Sequence, residues 1–171
     1  MEVLKIKKLH PDAHIPTRAH STDAGMDLYA LPVEYTDEEK HVFKLAVLAG
    51  LYDDFDYHKQ IRIPAHETVM IHTGIAVEIP IGYMGAVYAR SGLASKKSLA
   101  PVNGVGIIDS EYRGELMVPL HNHNNQAKLI DVGDRIAQLV IQPISLCTPV
   151  EVEELDETDR GVGGFGSSGQ K

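Results

Sequence analysis

Glu67-Thr68-Val69-Met70-Ile71-His72-Thr73-Gly74-Ile75-Ala76-Val77-Glu78-Ile79-Pro80-Ile81-Gly82-Tyr83-Met84-Gly85-Ala86-Val87-Tyr88-Ala89 decides the fold class. Apolar side chains recur at every second position over Glu67–Ile79 and again over Tyr83–Ala89, and Pro80-Ile81-Gly82 supplies a turn between them. Period two with β-branched residues is the pattern of strands half-buried against a core, because successive side chains of a strand leave on opposite faces. Working outward, the same pattern predicts strands over 3–9, 27–30, 60–63, 99–102, 106–108, 115–121, 127–130, 135–144 and 150–153. Turn chemistry separates them at Asn103-Gly104, His123-Asn124-Asn125 and Val132-Gly133-Asp134. Many short strands require two packed sheets or a closed barrel, so the chain reads as all-β.

Residues 37–59 interrupt this pattern. Thr36-Asp37-Glu38-Glu39 fits a helix-capping box, and Val42, Leu45, Ala46 and Ala49 share one helical face, so a helix ending near Gly50 is expected. The chain of 171 residues, 43% hydrophobic and 23% charged, has the size of one domain, 1–171, carrying 37–59 as a helical or loop insertion. Its 16 Lys and Arg against 24 Asp and Glu leave a formal charge of −8, which disfavours nucleic acid as a partner. No apolar run reaches membrane-spanning length, and the one cysteine, Cys147, cannot form an internal disulfide. The expected setting is cytoplasmic, without membrane contact. His121 and His123 fall on one face of a strand, but no third histidine or cysteine follows at metal-site spacing.

Three stretches carry chemistry. Arg90-Ser91-Gly92 joins a guanidinium fork, a hydroxyl and a bare backbone, a combination suited to phosphate oxygens. Between Asn103 and Gly114, Asp109 is a carboxylate at a strand end able to hold and deprotonate a water. In the same stretch Tyr112 offers a flat ring, and Asn103 offers the donor and acceptor pair that suits an imide edge. The end of the chain, from Arg160 through Phe165, Gly166, Ser167 and Ser168, sets one cation, one aromatic ring and small hydroxyls among glycines. That composition suits a Gly-rich lid over 155–171.

Taken in order, Asp23–Ala30, Arg90–Ala94, Gly106–Gly114, Gly133–Leu139 and Arg160–Gly169 match the five motifs of the trimeric dUTP diphosphatases, and the chain resembles that family over nearly its whole length. The resemblance implies a distorted jelly-roll β-barrel, a homotrimer with shared sites, and Mg2+-assisted hydrolysis of dUTP to dUMP and pyrophosphate. It assigns water activation to Asp109. It assigns phosphate contacts to Arg90, Ser91, Gly92 and Gln138, and uracil to Asn103, Gly106, Ile107, Ile108 and Met117. Tyr112 is implied to stack on the deoxyribose, and Arg160, Phe165, Gly166, Ser167 and Ser168 to close over the ligand. Asp27 is implied to reach the metal only through water, or to hold Arg90, with Mg2+ carried by the substrate phosphates. The insertion at 37–59 departs from the minimal pattern and is a candidate surface for a protein partner. A dCTP deaminase of the same fold is the rival enzyme, disfavoured by the complete arginine-led tail.

Overall fold

The computed structural model describes residues 3–32, 37–41, 56 and 58–164. Among the described residues, besides the helical stretch 37–41, eleven strands and one helix follow in chain order: β1 Lys5–Lys8, β2 Met26–Tyr29, β3 Gln60–Ile63, β4 Thr68–His72, β5 Ile75–Glu78, β6 Tyr83–Ala89, α1 Ser91–Lys97, β7 Leu99–Pro101, β8 Val105–Ile108, β9 Met117–Asn122, β10 Lys128–Asp131 and β11 Arg135–Pro143. All pairings are antiparallel, in sheets ordered β2-β11-β6-β8, β4-β9-β7, β1-β5 and β10-β3. Alternation places one side chain in two on a common core. Leu28, Ile61, Ile63, Ile71, Ile75, Leu120, Ile130, Ile136 and Leu139 are fully buried there, and they come from all four sheets. Each such side chain stabilises the fold by about 1.5–3 kcal/mol relative to exposure.

Two expectations are corrected. The run 67–79 is two strands, because the backbone turns at Thr73-Gly74, where Gly74 has φ +67° and a Cβ would clash with Leu31 Cδ1. Only glycine fits that corner, which passes the chain from β9 as a partner to β1. The 150–153 stretch forms no strand: Val150 and Val152 are exposed and pair with no strand among the described residues. Residues 37–41 are helical, as expected; Val42, Leu45, Ala46 and Ala49 lie outside the described residues. No helix among the described residues is long and apolar enough to cross a membrane.

The register of β11 against β2 holds the feature that matters most for the site. Gln138 faces Asp27 and Ala137 faces Leu28, but Arg135, not Ile136, faces Tyr29, so the strand is bulged between Arg135 and Ala137. A bulge adds one residue and inverts the alternation beyond it. Arg135 is thereby moved onto the face that carries Asp27 and Gln138.

Candidate active site

Asp27, buried at 4% exposure, is the centre of a charge cluster. Arg90 Nε donates to its Oδ1 at 2.8 Å and Arg135 Nη1 to its Oδ2 at 3.1 Å, while Arg90 Nη1 also donates to the Arg135 carbonyl at 3.2 Å. One carboxylate thus holds two guanidiniums, leaving a net positive charge over the end of β2, β6 and β11. Charge-assisted bonds of this kind are shorter and stronger than neutral ones. Gln138 lies beside Asp27 in register and packs close to Gly25, where a Cβ would meet Gln138 Cβ at 3.1 Å. Ser91 and Gly92 open α1 directly after Arg90, both exposed, and no side chain caps that helix start. Four motif residues, Asp27, Arg90, Ser91 and Gln138, are therefore brought to one end of the sheet.

Asp109 belongs to a second cluster. A cleft of about 230 Å³ is lined by Met70, Ile107, Ile108, Asp109, Tyr112 and Met117, with Glu115, Leu116 and Pro119 completing its wall. The loop closing it is short: the Tyr112 amide donates to Asp109 O at 3.1 Å, and the Tyr112 hydroxyl donates to Glu115 O at 2.9 Å. Arg113 Nη1 ties the same loop by donating to the carbonyls of Ser110 and Tyr112. Gly106 sits in β8 across from Val87, where a Cβ would be 3.3 Å from Val87 Cβ and 3.4 Å from Asn103 Nδ2. A side chain at Gly106 would fill the space beside the Asn103 amide. Asn103 itself is exposed in the turn between β7 and β8.

The two clusters are not adjacent. In the β6–β8 ladder Gly85 faces Ile108 and Tyr88 faces Val105, so Asp109 leaves the sheet at the Tyr83 end of β6 and Arg90 leaves it at the Ala89 end. At about 3.3 Å per residue the gap is on the order of 15–20 Å. Arg160, in the third predicted region, folds on its own turn, donating from Nε to Gly163 O at 3.0 Å and from Nη2 to Gly164 O at 3.3 Å. Phe165, Gly166, Ser167 and Ser168 lie outside the described residues.

Sequence reasoning missed Arg135 as a second partner of Asp27, and Met70, Glu115 and Pro119 as walls of the Asp109 cleft. Arg135 was hidden by the bulge, and the others by strand pairings that no local pattern encodes. His121 and His123 do meet, with ring centroids 4.5 Å apart, but His121 Nδ1 is engaged by the Thr68 hydroxyl at 2.9 Å.

Comparison with known proteins agrees with this architecture. The dUTPase family model matches residues 48–169. Deoxyuridine 5'-triphosphate nucleotidohydrolase of Nocardia farcinica is 42% identical over 97% of this chain and 85% of its own, and that of Syntrophotalea carbinolica is 42% identical over 97% and 96%. Among solved structures, the dUTPase of Staphylococcus bacteriophage 80alpha with dUpNHpp superposes with a TM-score of 0.77 at 29% identity, covering 99% of both chains. The dUTPase of Staphylococcus aureus phage phi11, described for its species-specific insert, superposes with a TM-score of 0.70 at 26% identity, over 92% of this chain and 100% of its own. With two arginines gathered on Asp27 and a cleft built around Asp109 and Tyr112 on a jelly-roll framework, the chain belongs to the dUTPase family.

Proposed function

We propose that this protein hydrolyses dUTP to dUMP and pyrophosphate in sites assembled from several copies of the chain, as a homotrimer. The observation that carries the reading is the separation just described. An activating carboxylate must lie within hydrogen-bond reach of the attacking water, yet Asp109 and the Arg90–Arg135 cluster are separated by most of the length of β6. A closed ring of heterologous contacts brings the Asp109 cleft of one copy against the charge cluster of the next.

In this reading uracil enters beside β8 and β9, read by Asn103 and by the backbone of Gly106, Ile107, Ile108 and Met117, and the deoxyribose lies on Tyr112. Ser91, the amides at Gly92, Gln138 and Arg90 receive the phosphates. Asp109 accepts a proton from the water as its oxygen bonds to the α-phosphorus. The bond from that phosphorus to the bridging oxygen breaks, and its electron pair leaves with pyrophosphate. Arg160, Phe165, Gly166, Ser167 and Ser168 close over the ligand and exclude bulk water.

The donor set fits Mg2+ brought by the triphosphate rather than caged by protein. No three His, Cys, Asp or Glu side chains converge among the described residues, and both oxygens of Asp27 are engaged by guanidiniums. A carboxylate has further lone pairs, so Asp27 can still meet the metal through water. When bound, Mg2+ neutralises phosphate charge.

The test is pyrophosphate release from dUTP, dCTP, dTTP and UTP with Mg2+, followed by identification of the nucleoside product. Release from dUTP alone, giving dUMP, is expected. No release, or a uracil product from dCTP, would replace this reading with a binding module or a deaminase. The insertion at 37–59 adds a candidate surface for a protein partner, and a pull-down with and without it tests that role.

A further inference from the structure

The Asp109 loop stands on a strut formed by His72 and Glu115, two residues outside the assigned roles. Glu115 follows the loop directly and lines the Asp109 cleft. Its Oε2 is 2.8 Å from His72 Nδ1 and its Oε1 accepts the Gly74 amide at 2.7 Å, so both oxygens are held by the β4–β5 corner. An ionised carboxylate only accepts, which places the proton on Nδ1 of His72. The main chain repeats the grip: Thr73 Oγ1 donates to Leu116 O at 2.5 Å and the Leu116 amide donates to Ile75 O at 2.8 Å. From the other side, the Glu115 carbonyl receives the Tyr112 hydroxyl at 2.9 Å, and the Tyr112 amide binds Asp109 O at 3.1 Å. An unbroken chain of hydrogen bonds runs from the corner to the backbone of Asp109.

The corner is itself fixed. The Leu31 amide donates to His72 O at 2.8 Å, and Leu31 fills the space a Cβ on Gly74 would need. By contrast, the neighbouring space is open: a cavity of about 360 Å³, lined by Leu9, His10, Leu31, His72, Gly74 and Glu115, lies behind the strut. Glu115 thus lies between two hollows, and both of its carboxylate oxygens are fixed by polar contacts to the corner.

We infer that His72 and Glu115 are positioning residues that hold the Asp109–Tyr112 loop at its working geometry. Their loss lowers turnover through misplacement of Asp109, while ground-state binding of dUTP changes little. This rests on the proposed dUTP hydrolysis, so the test carries one readout that does not.

His72→Leu and Glu115→Ala are compared with His72→Asn, whose amide can donate from near the Nδ1 position, and Glu115→Gln, which keeps an acceptor for Gly74. A misplacement of an ångström costs on the order of 10- to 100-fold in rate, so kcat for dUTP falls by about tenfold or more in His72→Leu and Glu115→Ala, with KM within about threefold of wild type. The polar variants recover most of kcat. The double variant His72→Leu/Glu115→Ala loses no more than Glu115→Ala alone, because the pair acts as one unit. Hydrogen exchange at the Tyr112 amide is faster in the apolar variants and near wild type in the polar ones. Wild-type kcat in both apolar variants, additive losses, or unchanged Tyr112 exchange would overturn the strut. If Glu115→Ala does not fold, half-exposed His72 decides alone through His72→Leu against His72→Asn. Absence of dUTP turnover in the wild type would sink the function reading instead, and the exchange data would still judge the strut.

Discussion

Two carboxylates frame this molecule, and they are built in opposite ways. Asp27 lies on β2, at one edge of the four-stranded sheet, yet is only 4% exposed, with one oxygen held by Arg135 at the start of the adjacent β11 and the other by Arg90 just past the end of β6. Asp109 lies just past the end of an edge strand, exposed, in a loop braced by a tyrosine, an arginine and a glutamate. The first is a structural charge: it sets the spacing of two cations and has little freedom to do chemistry. The second is free to meet a ligand. An ion triad around one buried carboxylate fixes geometry more than it adds stability, whereas removing that carboxylate leaves the two cations uncompensated.

The contrast is sharpest in substitution. Asp109→Asn keeps shape and hydrogen bonding but no longer accepts a proton, so turnover of dUTP falls by about 10²–10⁴-fold, with binding of a non-hydrolysable analogue preserved within a few-fold. Stability stays within about 0.5 kcal/mol in urea unfolding, as for other exposed positions. Near-wild-type turnover would remove Asp109 from the mechanism. Asp27→Asn reverses the profile. Arg90 and Arg135 face each other without a counter-charge, and because both are partly solvated the loss is about 2 kcal/mol rather than the larger penalty of a fully buried pair. Affinity for the triphosphate also weakens as the guanidiniums separate. Unfolding unchanged in Asp27→Asn would mean that the cluster does not hold its end of the sheet.

A third carboxylate calibrates both. Glu78 lies on β5 with Lys5 Nζ 2.7 Å away, both largely exposed. The hydrogen bond from Lys5, reinforced by its charge, holds the Glu78 carboxyl below its ordinary value of 4.5. A depressed folded-state value means the pair stabilises above that ordinary value, and the contribution is lost as pH falls through the lowered one. Lys5→Gln therefore shows a small drop in melting temperature at pH 7 in low salt, which disappears in acid and in 1 M salt. A drop that persists in acid would point to packing of the lysine stem instead.

The same contrast separates what local sequence encodes from what only the fold sets. Gln60–Ile63 and Tyr83–Ala89 were legible to the residue, since each is a short alternating run with turn chemistry on both sides. The corner at Thr73-Gly74 was not, because alternation continues through it, and the glycine is explained only by its left-handed backbone and the close approach of Leu31 and Ala13. The 150–153 stretch has strand periodicity but no partner strand among the described residues, and pattern alone cannot supply one. The motif residues picked out candidate positions, yet nothing local to Asp109 or Arg90 reveals that β6 holds them apart. That fact lives in the β6–β8 register. Arg135 illustrates the limit most plainly, since one extra residue in β11 decides which face it occupies.

Subunit mixing tests directly whether Asp109 and Arg90 of one site come from different chains. Asp109→Asn and Arg90→Gln, each inactive alone, are co-refolded at equal concentration. If the two residues are contributed by different copies, random assembly gives about one quarter of sites with both intact, and turnover returns to about that fraction of wild type. If a single chain supplies both, every site is defective and the mixture stays as inactive as its parts, which would contradict the account.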